Sequence, residues 1–188
     1  HLRLANCSQV SDGASAMILA SEEGLAKLSI APADCTELVS YGHATSPLGQ
    51  VEDLTRLDNA EAAVQEAYRG AGLKAGDMQV AEVHDCFSIT ELMMYEAAGF
   101  APFGGAAALA KDGATRIDGR IPVNTGGGLM SFGHPVGATG VKQILEIHRQ
   151  MKGQCGDYQL PSVPGVGLTI NMGGDDRTTC VTIIRNIG

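Results

Sequence analysis

An α/β layered fold is what this sequence predicts, on three observations. Apolar runs of strand length alternate with runs of helical period, and the chain then closes on two β-rich stretches in succession, the order of a sheet with helices packed on it. Those last stretches, Val166 to Asn171 and Thr178 to Arg185, are joined by GGDD and read as an antiparallel hairpin with Gly173 and Gly174 at its turn. The third observation is the segment NTGGGLMSFGHPVGATG at 124 to 140, six glycines around one histidine, which reads as a tight strand-to-helix connection.

Taken in order, the small apolar run Ala14 to Ala20 predicts a buried strand and Glu22 to Leu28 a brief helix. CTELVSYGHA, after the APAD connector, predicts a second strand, and residues 42 to 57, with Gly42, Pro47 and Gly49, a loop. From Asn59 the positions Ala60, Ala63, Val64, Ala67, Tyr68 and Ala71 fall at helical spacing, with Gly72 as the stop. DMQVAEVHD is the next strand and delivers His84, Asp85 and Cys86 at its C-terminal end. SITELMMYEAAGF follows as a helix, with Ser88 at the N-cap and Glu91 three residues on, the spacing of a capping box. The Gly104 to Gly119 region reads as a small-residue helix and a turn-rich connector. Beyond the glycine-rich segment a helix begins at about Val141, where Val141, Ile144, Leu145, Ile147, His148 and Met151 recur at near-helical spacing. Pro135, fixed in φ, sets the chain direction ahead of it.

At 188 residues with 44% hydrophobic residues, the chain is long enough for one fair-sized domain with its own core. A net charge of −8 with no Lys/Arg cluster argues against nucleic acid as a partner. The five cysteines show no CxxC pairing, and an odd, scattered set reads as reduced thiols in a reducing compartment. No apolar run approaches the roughly 20 residues of a membrane span. The N-terminus has no secretory leader pattern and the C-terminal RNIG is not an SKL-type signal, so the expectation is an intracellular protein, whether peroxisomal, mitochondrial or cytoplasmic. Opening on a histidine with no initiator methionine, the chain reads as a fragment or a processed product.

His84-Asp85-Cys86-Phe87 sits where a strand ends and a helix begins, and a cysteine near helix N-terminal amides has its thiolate favoured by the dipole. The bland alternative is a small buried hydrophobe. An α/β sheet gathers functional groups at the carboxyl ends of its strands, and the loop of His134 is a second such turn. NMGG at 171 to 174 adds backbone N–H groups and a side-chain amide. A thiol, two imidazoles and amide donors together suit acyl transfer, with a proton shuttle and oxyanion stabilisers. His84, Cys86 and His134 are also metal-ligand types, but only the first two are close in sequence and no tetrahedral set is spaced for a metal. Asp175-Asp176 reads as a polar turn, Cys7, Cys35, Cys155 and Cys180 as structural, His43 as a loop residue and His148 as a helix-surface residue.

HDCF at 84 to 87, NTGGGLMSFGHPVGATG at 124 to 140, NMGG at 171 to 174 and NCSQVSDGASAMILAS at 6 to 21 resemble the thiolases, specifically the sterol-carrier-protein type. The resemblance spans essentially the whole chain but only the C-terminal part of a thiolase. It implies one half of a duplicated βαβαβαββ architecture, a mixed five-stranded sheet with helices on both faces. Residues 1–30 would be the end of the N-terminal domain and 31–188 the C-terminal domain, the nucleophilic cysteine lying in the absent N-terminal half. His134 would activate that cysteine and donate to a first oxyanion hole, which His84 would help form from the place of the asparagine in NEAF-type thiolases. Where those enzymes carry a catalytic cysteine in a C-x-G motif this chain has Asn171-Met172-Gly173, and the resemblance passes the acid/base role to Cys86. Gly173 would supply the backbone N–H of a second oxyanion hole and Ser8 would touch the pantetheine of coenzyme A, though a plain turn serine reads equally well.

The implied function is Claisen cleavage or condensation by a 3-ketoacyl-CoA thiolase in lipid metabolism, with the isolated 188 residues inactive. The implied partners are acyl-CoA or 3-ketoacyl-CoA, coenzyme A as a substrate and not a bound cofactor, the N-terminal thiolase half, and further copies in a homodimer or tetramer. Two other readings stay open on the residues alone: a self-contained Cys86–His134 acyl hydrolase and a non-catalytic thiolase-like scaffold.

Overall fold

The computed structural model describes residues 3–49 and 53–188, among which a four-stranded mixed sheet carries six α-helices. In chain order these are α1 (Glu22–Leu28), β1 (Thr36–Thr45), α2 (Asp58–Ala71), β2 (Val80–Val83), α3 (Ser88–Ala97), α4 (Ala106–Lys111), α5 (Gly128–Phe132), α6 (Thr139–Met151), β3 (Val166–Gly173) and β4 (Thr178–Asn186). The strands lie in the order β1-β4-β3-β2, with β2 and β3 parallel and the other two pairs antiparallel.

Strand alternation sends successive side chains to opposite faces, and each face is covered differently. Leu168 and Ile170 of β3, with Val181 and Ile183 of β4, join Ala60, Val64 and Met94 of α2 and α3 in the main core. Fully burying aliphatic side chains of this size stabilises by roughly 1.5–3 kcal/mol each. The other face packs a smaller cluster, Val80, Ile184 and Leu160, against Ile147 and Met151 of α6. That helix also turns Gln143, Glu146 and Gln150 inward, so its buried stripe is half polar, unlike the apolar spacing of its sequence. Gln150 is satisfied there, donating to the Tyr158 carbonyl at 2.8 Å and accepting from the Leu160 N–H at 2.9 Å.

Four expectations need correction. The sheet has four strands, not five: the fifth shrinks to a single parallel bridge between Val123 and Ala81. Ala81 donates to the Pro122 carbonyl and receives the Asn124 N–H, both at 2.9 Å, and then Asn124, at φ 49°, turns the chain away. Ala14–Ala20 forms no strand; Met17, Ile18 and Leu19 are exposed, because no neighbouring strand among the described residues offers them a ladder. Ser88 is the first helical residue of α3 and not its cap. Glu91 instead accepts from the Tyr95 hydroxyl at 2.8 Å and the Asn124 amide at 3.3 Å. Asp176 is no mere polar turn residue, since it is buried and accepts from the N–H groups of Asn59 (2.7 Å) and Ala60 (3.0 Å), capping α2 from the β3–β4 turn.

Of the other elements, α1 lies where it was expected, Gly72 closes α2 at φ 67° and α6 starts two residues early, while the segment read as a plain strand-to-helix connection holds the short helix α5. Part of the loop expected over 42 to 57 is the end of β1, and residues 50–52 lie outside the described set.

Candidate active site

The carboxyl ends of β2 and β3 open into a cavity of about 500 Å³. Ser8, His84, Cys86, His134, Asn171 and Gly173 all line it. Three separate turns therefore converge: the exit of β2, the loop between α5 and α6, which is a helix-to-helix connection and not the strand-to-helix turn expected, and the end of β3. A fourth segment straps them, for the Ser8 N–H donates to the Cys86 carbonyl at 2.8 Å and the His134 N–H to the Gln9 carbonyl at 3.4 Å.

Asp85 joins the first two turns. Its carboxylate accepts from the N–H groups of Leu129 at 2.7 Å and Met130 at 3.4 Å, so the exit of β2 grips the first turn of α5. Burial raises the Asp85 pKa while those two N–H groups hold it down. The sequence placed Asp85 in the motif without a task, and no local pattern marks its contact with α5, which lies over forty residues on.

His134 is partly exposed. Its Nδ1 lies 2.6 Å from the Thr139 hydroxyl, which itself donates to the Pro135 carbonyl at 3.2 Å. A hydroxyl has one hydrogen, so with that spent on Pro135 it accepts from Nδ1–H, and Nε2 keeps its lone pair as a base. Burial lowers the pKa of His134 against the opposing pull of Asp85, which favours the neutral, proton-accepting form. Thr139 is fully inside and went unrecognised in the sequence, where it reads as one more small residue of GATG.

The His84 ring meets that of His134 edge to face, with centroids 4.9 Å apart and planes at 87°. Its Nδ1 is 3.0 Å from Asn171 Oδ1. Burial pushes the His84 pKa down to about 4, with the Asn171 bond opposing and His134 reinforcing the shift.

Cys86 lies just ahead of α3, with its sulfur 3.9 Å from the Thr90 hydroxyl. The dipole argument alone predicts a lowered thiol pKa, but burial outweighs it and raises the pKa, against the Thr90 and Phe87 hydrogen bonds. Cys86 is thus a protonated thiol at rest, suited to giving a proton before it takes one. All five cysteines are free, and Cys180, read as structural, stands exposed on the cavity wall. His43 lies within β1, its Nε2 3.0 Å from the Thr178 hydroxyl, and His148 is half-buried beside Thr36 at 3.3 Å. Among the described residues no three His, Cys, Asp or Glu side chains are grouped to hold a metal ion, and no helix is long and apolar enough to cross a membrane.

Residues 40–186 match the family described as "Thiolase C-terminal domain-like". An acetyl-CoA acetyltransferase of Methanothermobacter thermautotrophicus is 40% identical over 182 residues, covering 97% of this chain and 47% of that protein. Sterol carrier protein 2 of Oryctolagus cuniculus is 37% identical over 92% of this chain and 32% of its own length. A benzoylsuccinyl-CoA thiolase subunit of Thauera aromatica is 34% identical over 94% of this chain and 46% of its own. The chain thus spans about half or less of the curated relatives it matches. A solved structure titled Ltp2-ChsH2(DUF35) aldolase shares the fold, with a TM-score of 0.71 at 22% identity over 80% of this chain and 39% of that one.

Proposed function

The chain belongs to the thiolase family, with sterol carrier protein 2 among its relatives, and from that premise we propose that it is the C-terminal portion of a 3-ketoacyl-CoA thiolase, an acetyl-CoA acyltransferase of lipid metabolism. Residues 1–30 end an N-terminal domain and 31–188 form the C-terminal one. The observation that carries the reading is the pair of imidazoles and the thiol on one cavity, with His134 held as a base by Thr139.

In the proposed cycle a cysteine of the N-terminal half loses its proton to His134 Nε2, and its sulfur attacks the keto carbon of 3-ketoacyl-CoA. His134, now charged, donates Nε2–H to the first oxyanion, in a hole that His84 also lines. Collapse of the adduct breaks the bond between the α and keto carbons, leaving an acyl-enzyme and an acetyl-CoA enolate whose oxygen the Gly173 N–H serves. Cys86 gives its proton to the enolate carbon, then recovers one from the thiol of incoming coenzyme A, whose sulfur takes the acyl group as the bond to the N-terminal cysteine breaks and that sulfur regains its proton from His134. Ser8 lines the approach, where the pantetheine arm would lie. Coenzyme A is substrate and product here, and no resident cofactor is invoked.

The test is thiolysis of acetoacetyl-CoA by the complete protein that contains this chain. CoA-dependent cleavage, lost by at least on the order of 4 kcal/mol of transition-state stabilisation in His134→Ala, supports the reading. Release of free acid without CoA would instead establish the Cys86–His134 hydrolase. An unreactive complete protein with no acyl-enzyme would leave the scaffold reading.

A further inference from the structure

His84 Nδ1 and Asn171 Oδ1 are 3.0 Å apart, and an amide oxygen has only lone pairs to offer. The hydrogen of that bond therefore sits on Nδ1. Asn171 is itself confined. It stands near the end of β3, opposite Cys180 of β4, and its Nδ2 lies so close to the first turn of α6 that a Cβ added to Gly140 would come within 2.9 Å of it. A side chain at 140 would therefore displace the amide from where it stands.

We propose that Asn171 is a positioning residue that holds His84 in its Nδ1–H tautomer, so that the neutral ring offers an acceptor at Nε2 and becomes a donor there only when charged. For its place in the reaction this rests on the thiolase reading; for the tautomer it does not. Burial keeps the ring neutral near pH 7, and His134, centred 4.9 Å away, opposes a second positive charge once it has taken the nucleophile's proton. Donation to the first oxyanion then falls to His134. The partner of His84 Nε2 must bring the hydrogen itself. The other titratable groups lining the cavity are Cys86 on the His84 segment, Asp175 from the β3–β4 turn and Cys180 from β4.

Nitrogen-15 NMR of the complete protein, labelled with 15N-histidine and assigned by the signals missing in His84→Gln, reads the tautomer directly. At pH 7 the wild type is expected to show a protonated Nδ1 and an unprotonated Nε2. Asn171→Asp should keep that tautomer and raise the titration midpoint of the ring by about 1–3 pH units, because a carboxylate then faces it. Asn171→Leu should give a mixture of both tautomers. A wild-type ring protonated at Nε2, an unmoved midpoint in Asn171→Asp, or an unchanged tautomer in Asn171→Leu overturns the proposal. If the leucine variant does not fold, the wild-type and aspartate spectra still decide. Thiolysis measured on the same wild-type sample keeps the two ideas apart, since its absence removes the thiolase reading without touching the tautomer.

Discussion

The carboxylate of Asp85 fills the space that a side chain on Gly128 would need: an added Cβ would lie 2.6 Å from Asp85 Cγ, at a backbone φ of 59°. The contact seats the loop of His134 on the exit of β2, through the bonds to Leu129 and Met130. Gly128→Ala meets both a steric and a conformational penalty, and in the complete protein it should cost about 2–4 kcal/mol of stability. Asp85→Ala should lose less stability but loosen the loop, lowering turnover more than substrate affinity. Thermal unfolding and steady-state kinetics on the two variants check this, and a fully active, fully stable Gly128→Ala enzyme refutes it.

Those two residues also mark where the sequence was legible and where it was not. His84, Cys86, His134 and Gly173 could be picked out because each sits in a local pattern, a strand running into a helix or a cluster of glycines, and the fold brings them to one cavity. Asp85, Thr139 and Asp176 act through contacts that no local pattern shows. Asp176 caps a helix that begins over a hundred residues earlier, and Asp85 grips amides more than forty residues on. Ala14–Ala20 misled for the reverse reason: composition favours a strand, but a strand needs a ladder partner, and no neighbour supplies one among the described residues. The missing fifth strand shows the same dependence, since Asn124 turns the chain after one bridged residue.

Thr139 holds His134 in the tautomer a base needs, so its hydroxyl should matter and its size should not. Thr139→Val keeps the shape and removes the acceptor for Nδ1–H. Acyl-enzyme formation should slow roughly 10–100-fold, and Thr139→Ser should restore most of the rate. Rapid-quench measurement of the acylation burst distinguishes the pair; equal rates in the valine variant and the wild type would remove Thr139 from the mechanism.

Glu82, on β2, is buried under α6, and burial pushes its pKa up to about 8 against the attraction of Lys142, with Glu146, Asp85 and Glu91 adding to the rise. The folded state thus keeps a proton that the unfolded chain releases above the ordinary value of 4.5. This group's contribution to stability is greatest below that value and falls as pH rises toward 8, by at most about 1.4 kcal/mol per pH unit. His84, lowered to about 4 from 6.5, acts in the opposite sense, its contribution lost as pH falls through that window. Glu82→Gln should therefore gain stability over the wild type steadily between pH 5 and pH 8. Melting temperatures of both proteins across that range test the sign, and a pH-independent difference would show that Glu82 is ionised in the fold.

The last prediction separates the two half-reactions at Cys86. In the proposed cycle acylation uses the N-terminal cysteine and His134, whereas cleavage and condensation also need a proton on the substrate carbon. A serine at 86 keeps the size and some hydrogen bonding of the thiol, yet its hydroxyl is far too weak an acid to pass a proton near neutrality. A thiol can do so, even with its pKa raised by burial, because its ordinary value lies within a few units of working pH. Cys86→Ser in the complete protein should therefore still accept an acyl group from a simple acyl-CoA while thiolysis of acetoacetyl-CoA falls by about 100-fold or more. Intact-mass spectrometry of the trapped intermediate, followed by peptide mapping of the modified cysteine, reads both outcomes at once. An acyl group found on Cys86 in the wild type, and absent from the serine variant, would make Cys86 the nucleophile and return the site to the hydrolase reading.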